Sequence, residues 1–176
     1  MTSKKRGEDE KQNGFEVFFR EHYERLAQYV GRRVPASRVD DIVSATFVVA
    51  WKKFRKVDCP SLPWLFRIAS FEVKSSDRAA RRGGNTLSVE VIQNRADGGG
   101  DTFDATPVLA ALSKLSTSDQ EILRLVHWDD LTRPEVAEVL DLTVNAVNVR
   151  YHRALSRLEQ LMSPSVSSPK PEGVPQ

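Results

Sequence analysis

An all-α chain is predicted by three observations. Apolar residues recur at spacings of three and four along most of the sequence, no segment alternates as a strand would, and helix-starting signals precede several of the periodic runs. The first periodic run carries Phe15, Phe18, Phe19, Leu26, Tyr29 and Val30, after a charged stretch, residues 1–14, that is expected to be a disordered tail. A second helix is marked by Val39, Ile42, Val43, Phe47, Ala50 and Phe54, with Asp40 and Asp41 in its first turn, where carboxylates favour the helix dipole. A third runs from about Pro63 to Arg82. Residues 83–106 contain Gly83-Gly84 and Gly98 to Gly100, with an acidic excess from Glu90, Asp97, Asp101 and Asp104, and read as a flexible linker.

Beyond the linker, Val108, Leu109, Leu112 and Leu115 mark a further helix. Ser116 with Asp119 caps the next, which buries Ile122, Leu123, Leu125 and Val126. Thr132 followed by Glu135 is a capping box with Pro134 in the first turn, so a short helix starts there and buries Val136, Ala137, Val139 and Leu140. Asp141, Leu142 and Thr143 break the pattern: Asp tolerates a left-handed backbone and Thr is a good N-cap. In the helix that follows, Val144, Val147, Tyr151, Ala154, Leu155 and Leu158 form one face, and Asn145, Asn148, Arg150, His152, Arg153 and Arg157 fall mainly elsewhere. Small Ala137 permits the close approach of a helix-turn-helix crossing. A plain antiparallel hairpin with a solvated basic face has the same composition; the order of caps and turn favours the DNA-reading unit. The proline- and serine-rich segment 163–176 is expected to be disordered.

Composition narrows the function class. With 176 residues, a net charge of +2 and 40% hydrophobic residues, the chain suits one or two small domains. Basic residues outnumber acidic ones 14 to 8 between Phe15 and Arg82, and are outnumbered 6 to 8 between Pro107 and Met162, so the first segment is the electropositive one. Cys59 is the single cysteine, which excludes an internal disulfide and a cysteine-rich zinc site. The longest apolar run, Phe47 to Trp51, is far too short to span a bilayer, and a cytoplasmic location is expected.

The polar residues of the last helix suit base and phosphate contact. Asn pairs bidentately with adenine and Arg with guanine in the major groove, which makes Asn145 and Asn148, near the helix start, candidate base readers. Arg133, Arg150, Arg153 and Arg157 are candidates for base or phosphate contact, the latter sequence-blind and salt-sensitive. Arg150 lies one turn from Val147, near the buried edge, so bracing the fold is an equal reading for it. His152 is a solvated or phosphate-touching residue. In the third helix Arg67, Lys74, Arg78, Arg81 and Arg82 form a basic track suited to a single-stranded backbone, or else a solvated face. Trp51 and Trp64 sit within apolar patterns and read as core rather than base-stacking residues.

The two halves together resemble the extracytoplasmic-function (group 4) sigma factors of bacterial RNA polymerase. The resemblance covers residues 15–82, as region 2, and 107–162, as region 4. It rests on Asp40-Asp41, Phe47, Ala50-Trp51, Pro63-Trp64-Leu65 and Ile68-Ala69 in the first half. In the second it rests on Leu112, Leu115, Glu135, Val136, Ala137, Leu140, Val147, Arg150, Arg153 and Ala154. The resemblance implies two small helical domains on a flexible acidic linker that threads the polymerase cleft. It implies that Asp40, Asp41, Ser44 and Phe47 dock on the clamp helices of the largest polymerase subunit, while region 4 sits on the flap of the second-largest. It further implies that the last helix enters the −35 element and that the third helix approaches the −10 element, where strand separation costs on the order of a few kcal/mol per unstacked base. Core polymerase and promoter DNA are the implied partners, an anti-sigma factor a further family expectation, and no cofactor, metal or enzymatic activity is implied. Ser44, Ser70-Phe71, Lys74 and Asp141 depart from the family's usual Gln, Arg-Asn, Asp and Gly, so no −10 base preference carries over.

Two other classes fit less well. A stand-alone helix-turn-helix regulator shares the Leu-Thr-x-x-Glu-Val-Ala pattern, but the upstream half lacks the alternating strands and helices of a receiver or ligand-binding domain. A nucleic-acid enzyme finds no support, since His22, His127 and His152 make no metal-ligand spacing and no phosphate-binding glycine loop, nucleophile elbow or HExxH occurs.

Overall fold

The computed structural model describes residues 2–82 and 106–163, with side chains described for 12–80 and 107–163. Seven α-helices and no strand occur among the described residues. The first three are α1 (Thr2–Gly31), α2 (Val39–Lys53) and α3 (Leu62–Arg82), with 3-10 turns at Ala36–Arg38 and Phe54–Lys56. The remaining four are α4 (Thr106–Ser113), α5 (Thr117–His127), α6 (Arg133–Leu140) and α7 (Val144–Met162). Most of the linker and of the C-terminal tail expected from the sequence lies outside the described residues.

Helix α1 begins at Thr2 rather than near Phe15. The stretch expected to be a disordered tail is rich in charged residues and carries no apolar stripe by which periodicity would mark a helix.

The first three helices enclose an aromatic core. Phe15 meets Phe47, Trp51 and Phe54 edge-on at centroid distances of 6.3, 5.0 and 5.2 Å. Tyr29 stacks on Phe66 at 4.3 Å, both fully buried. Helix α3 starts where the Ser61 hydroxyl accepts from the Trp64 N–H at 3.3 Å, with Pro63 in the first turn, where no amide is needed. Arg38 ties the start of α2 to α3 through Ser76 and Asp77.

The last four helices are short and begin at defined caps. Ser116 accepts from the Asp119 N–H at 3.2 Å, and the Glu135 carboxylate accepts from the Thr132 N–H at 2.7 Å within the expected capping box. Thr143 accepts from the Ala146 N–H at 3.2 Å. Between α6 and α7, Asp141 adopts φ 57° and ψ 50°, the left-handed conformation its place in the turn predicts. Leu112, Leu115, Ile122, Leu123, Tyr151 and Ala154 form the core of this half.

The two halves do not stand apart. Leu125, Leu131, Val136, Ala137, Val139 and Val147 of the second half belong to one continuous apolar cluster with α1, α2 and α3. Helix α3 lies on α6 along this seam.

Candidate nucleic-acid interface

Helix α7 separates its faces cleanly. Val147, Tyr151 and Ala154 are buried, whereas Asn145, Arg150, His152 and Arg153 are exposed and Asn148 is half-buried. One detail differs from the sequence reading, and one that it left open is resolved in exposure. Val144, expected inside, is 41% exposed because it occupies the first helical position beside the cap. Arg150, with two readings open, points to solvent, since one turn from Val147 the helix has already rotated clear of α6.

Tyr151 is the joint on which the second half turns. Its hydroxyl lies 3.0 Å from His127 Nε2 of α5, and the Arg133 guanidinium sits 3.3 Å above its ring. A cation held over an aromatic face gains electrostatic attraction and loses mobility. Arg133 is thus seated on the fold, with Nη1 buried, rather than reaching outward as a free contact residue. Arg157 is likewise engaged in an ion pair with the mostly buried Asp119, which joins α7 to α5. His152 packs edge-on to Tyr151 at 5.5 Å. The residues left facing solvent without such structural ties are Asn145, Arg150 and Arg153.

On α3, Lys74 and Arg78 are exposed, Arg78 donating to the Lys74 carbonyl at 3.2 Å. Arg81 and Arg82 end the helix, and their side chains lie outside the described residues. Arg67 is ion-paired at 2.9 Å with Asp141 in the turn of the helix-turn-helix. Beside it, Val49, Lys53, Trp64, Ile68, Phe71 and Glu72 line a shallow groove between α2 and α3. On α2, Asp40, Asp41 and Ser44 are exposed, but Phe47 is 5% exposed and packs on Phe15, Phe19 and Tyr23. It supports that surface from beneath. The exposed aromatic edge there is Phe19, Tyr23 and Trp51; the sequence placed Phe19 in the first apolar run and Trp51 in the core, and did not mark Tyr23.

Sequence reasoning missed the most strongly charged site in the molecule. Asp129, fully buried, accepts from Arg32 at 2.5 Å and from Arg33 at 2.9 Å, and its carbonyl accepts from Arg25 at 2.6 Å. Glu121 accepts from Arg33 at 3.0 Å and from the Tyr29 hydroxyl at 3.3 Å. Burial alone would lower the affinity of the Arg33 guanidinium for its proton, but Glu121, Tyr29 and Asp129 more than offset this and raise it. Burial, with Glu121 and Asp129 adding to it, pushes the Tyr29 phenol well above its ordinary range although Arg33 opposes. Arg124 beside them is lowered by burial. The only sequence signal was the doublet Arg32-Arg33 at the end of a helix, opposite no charge nearby in the chain. Among the described residues no group of three or more His, Cys, Asp or Glu side chains is placed to hold a metal ion. No described helix is long and apolar enough to cross a membrane.

A helical module with a cap-defined helix-turn-helix, joined to a second module with a basic helix, is the architecture of a DNA-binding transcription protein. Residues 106–158 match the family model for region 4 of sigma-70. The chain is 31% identical over 145 residues to the RNA polymerase sigma factor CnrH of Cupriavidus metallidurans, an alignment spanning 73% of this chain and 75% of that protein. It is 25% identical over 172 residues to the ECF RNA polymerase sigma-E factor of Escherichia coli, covering 88% and 90% of the two. The solved structure of CnrH in complex with the cytosolic domain of CnrY superimposes with a TM-score of 0.62 at 30% identity, over 86% of this chain and 88% of that one. RpoE of Bartonella quintana, in complex with the anti-sigma factor NepR, shares the fold with a TM-score of 0.65 at 21% identity, over 85% and 96%. The chain belongs to the extracytoplasmic-function RNA polymerase sigma factors, proteins of transcription initiation.

Proposed function

We propose that the second module reads the −35 element through α7 and that the first recognises and melts the −10 element along α3, each acting once the chain is seated on core polymerase. The observation that carries this reading is the outward set Asn145, in the first turn, and Arg150 and Arg153, further along, on a helix whose start is fixed by Thr143 and Asp141. Such a helix fits the major groove with its N-terminal residues at the base edges. Asn145 and Asn148 read bases, and Arg150, His152 and Arg153 hold phosphate or base. Arg133 and Arg157 position the helix rather than touch DNA first. Lys74, Arg78, Arg81, Arg82 and, when free of Asp141, Arg67 track the separated strand. Asp40, Asp41 and Ser44, with Phe47 beneath them, form the polymerase-docking surface. Residues 15–82 and 107–162 are the working modules and 83–106 their connection. The factor performs no covalent step of its own and works in the cytoplasm with the polymerase. Because CnrH and RpoE were solved with CnrY and NepR, an anti-sigma partner is proposed for this chain as well.

Run-off transcription with core polymerase, with and without this chain, on a pool of promoters tests the reading. Asn145→Ala and Asn148→Ala should each reduce −35 discrimination by about 1–3 kcal/mol while core binding persists. Equal transcription by the wild type from matched and mismatched −35 sequences overturns the assignment, as does a specific promoter shift by the chain alone at physiological salt.

A further inference from the structure

Helix α3 carries an aromatic side chain that the core does not use. Phe71 is 57% exposed, the most open of the large hydrophobic side chains among the described residues. It is not an isolated surface ring. It borders the groove of about 400 Å³ between α2 and α3, which has Val49, Trp64 and Ile68 as apolar lining and Lys53, Arg67 and Glu72 as polar lining. Lys74 Nζ lies over the Phe71 ring at 5.9 Å, within reach of a cation–π attraction.

We propose that Phe71 is a stacking platform for one unstacked base of the separated promoter strand, and that it holds this base whatever its identity. The inference rests on the −10 assignment of α3 made above and deepens it. A π-face is common to all four bases, so an aromatic ring beside cations binds a single strand with little sequence preference. Lys53, Arg67 and Lys74 supply positive charge for the adjoining phosphates, contacts that position a strand and carry no sequence information.

Base identity is read by hydrogen bonds to base edges, and the groups beside the ring are poorly suited to it. Phe71 itself has no hydrogen-bonding group. Its neighbour Ser70 is 6% exposed, and the Ser70 hydroxyl donates to the Arg67 carbonyl at 2.8 Å within the same helix. The half-buried Glu72 carboxylate accepts from N–H groups, but every base carries one on its Watson–Crick edge, so it singles out none. Selectivity among promoters then falls more heavily on the −35 contacts of α7.

The test uses the complex of core polymerase with the full chain, on a promoter found by run-off transcription. Photoreactive 5-iododeoxyuridine, which cross-links to a ring it stacks on, is placed at each −10 position of either strand in turn. Peptide mass spectrometry after irradiation should map one position to Phe71. With each of the four bases at that position, open-complex formation by the wild type should agree within about fivefold. Phe71→Ala should lower it by about fivefold to a hundredfold, equally for all four bases, while the complex with core persists on a sizing column. Phe71→Trp should retain it. Phe71→Asn, which brings an amide able to pair with a base edge, should open a gap of about tenfold or more between the best and the worst base. A spread beyond fivefold in the wild type overturns the tolerance, and Phe71→Ala equal to wild type overturns the platform. Cross-links confined to other residues of α3 also overturn the platform but leave α3 on the −10 element. No cross-link to α3 from any position overturns the −10 assignment, and this inference with it.

Discussion

The two modules reach the same all-helical end by opposite means. The first buries rings: Phe15, Phe18, Phe47, Phe54 and Trp64 interlock across helices of 15 to 30 residues, and Tyr29 stacks on Phe66. The second is mainly aliphatic, and three of its four helices have only 8 to 11 residues, too short to be stable alone. Its geometry comes from caps and from the left-handed residue at Asp141. Shape-specific packing holds a platform, whereas punctuation fixes an angle. On the function proposed above, a docking platform would draw on the former and a groove-reading helix on the latter.

Core truncation should break the comparison most forcefully. Phe66→Ala removes the ring under Tyr29 and should cost about 3–5 kcal/mol, whereas Leu123→Ala in the aliphatic core should cost about 2–5 kcal/mol. Chemical denaturation followed by circular dichroism measures both. Labels on each module should show the first substitution loosening α1–α3 before α7 and the second doing the reverse.

A smaller effect sharpens the role of punctuation. Thr143→Ala deletes the cap of α7 and should cost about 1 kcal/mol. Amide hydrogen exchange should place the loss in the first turn of α7, beside Asn145, and leave α1–α3 unchanged. An even loss across both modules would deny that caps, rather than packing, set this helix.

The smallest effect is a pH dependence in the first module. Burial against Phe18, assisted by Arg25 and opposed by Glu21, lowers the proton affinity of His22 below the usual imidazole value of 6.5. The folded state therefore binds this proton less well than the unfolded chain. The contribution of neutral His22 is full above that value and is lost as pH falls through the lowered one. Wild type should lose stability between pH 7.5 and 5.5 more steeply than His22→Gln, as read from denaturation midpoints.

Most of the fold was legible because its signals are local. The capping box at Thr132, the cap at Thr143 and the left-handed Asp141 announce α6 and α7 within a dozen residues. The outward face of α7 followed from helical periodicity, and the family resemblance supplied the order of the modules. What could not be read was whatever depends on residues distant in sequence meeting in space. Arg33 and Asp129 lie 96 positions apart, so neither hints at the other. Arg133 was read as a DNA contact because its exposure depends on where the Tyr151 ring lies. Phe47 was read as a docking residue because the pattern that places it on α2 does not say which neighbours cover it. The helical start at Thr2 escaped notice because a run of charged residues carries no apolar stripe.

The seat of Arg133 on Tyr151 divides labour within the reading unit. One ring and one cation help hold α7 against its scaffold, while Asn145, Arg150 and Arg153 project from it with no such structural tie. If the proposed −35 reading holds, exchanges at these outward positions would alter what the helix contacts without disturbing how the unit folds.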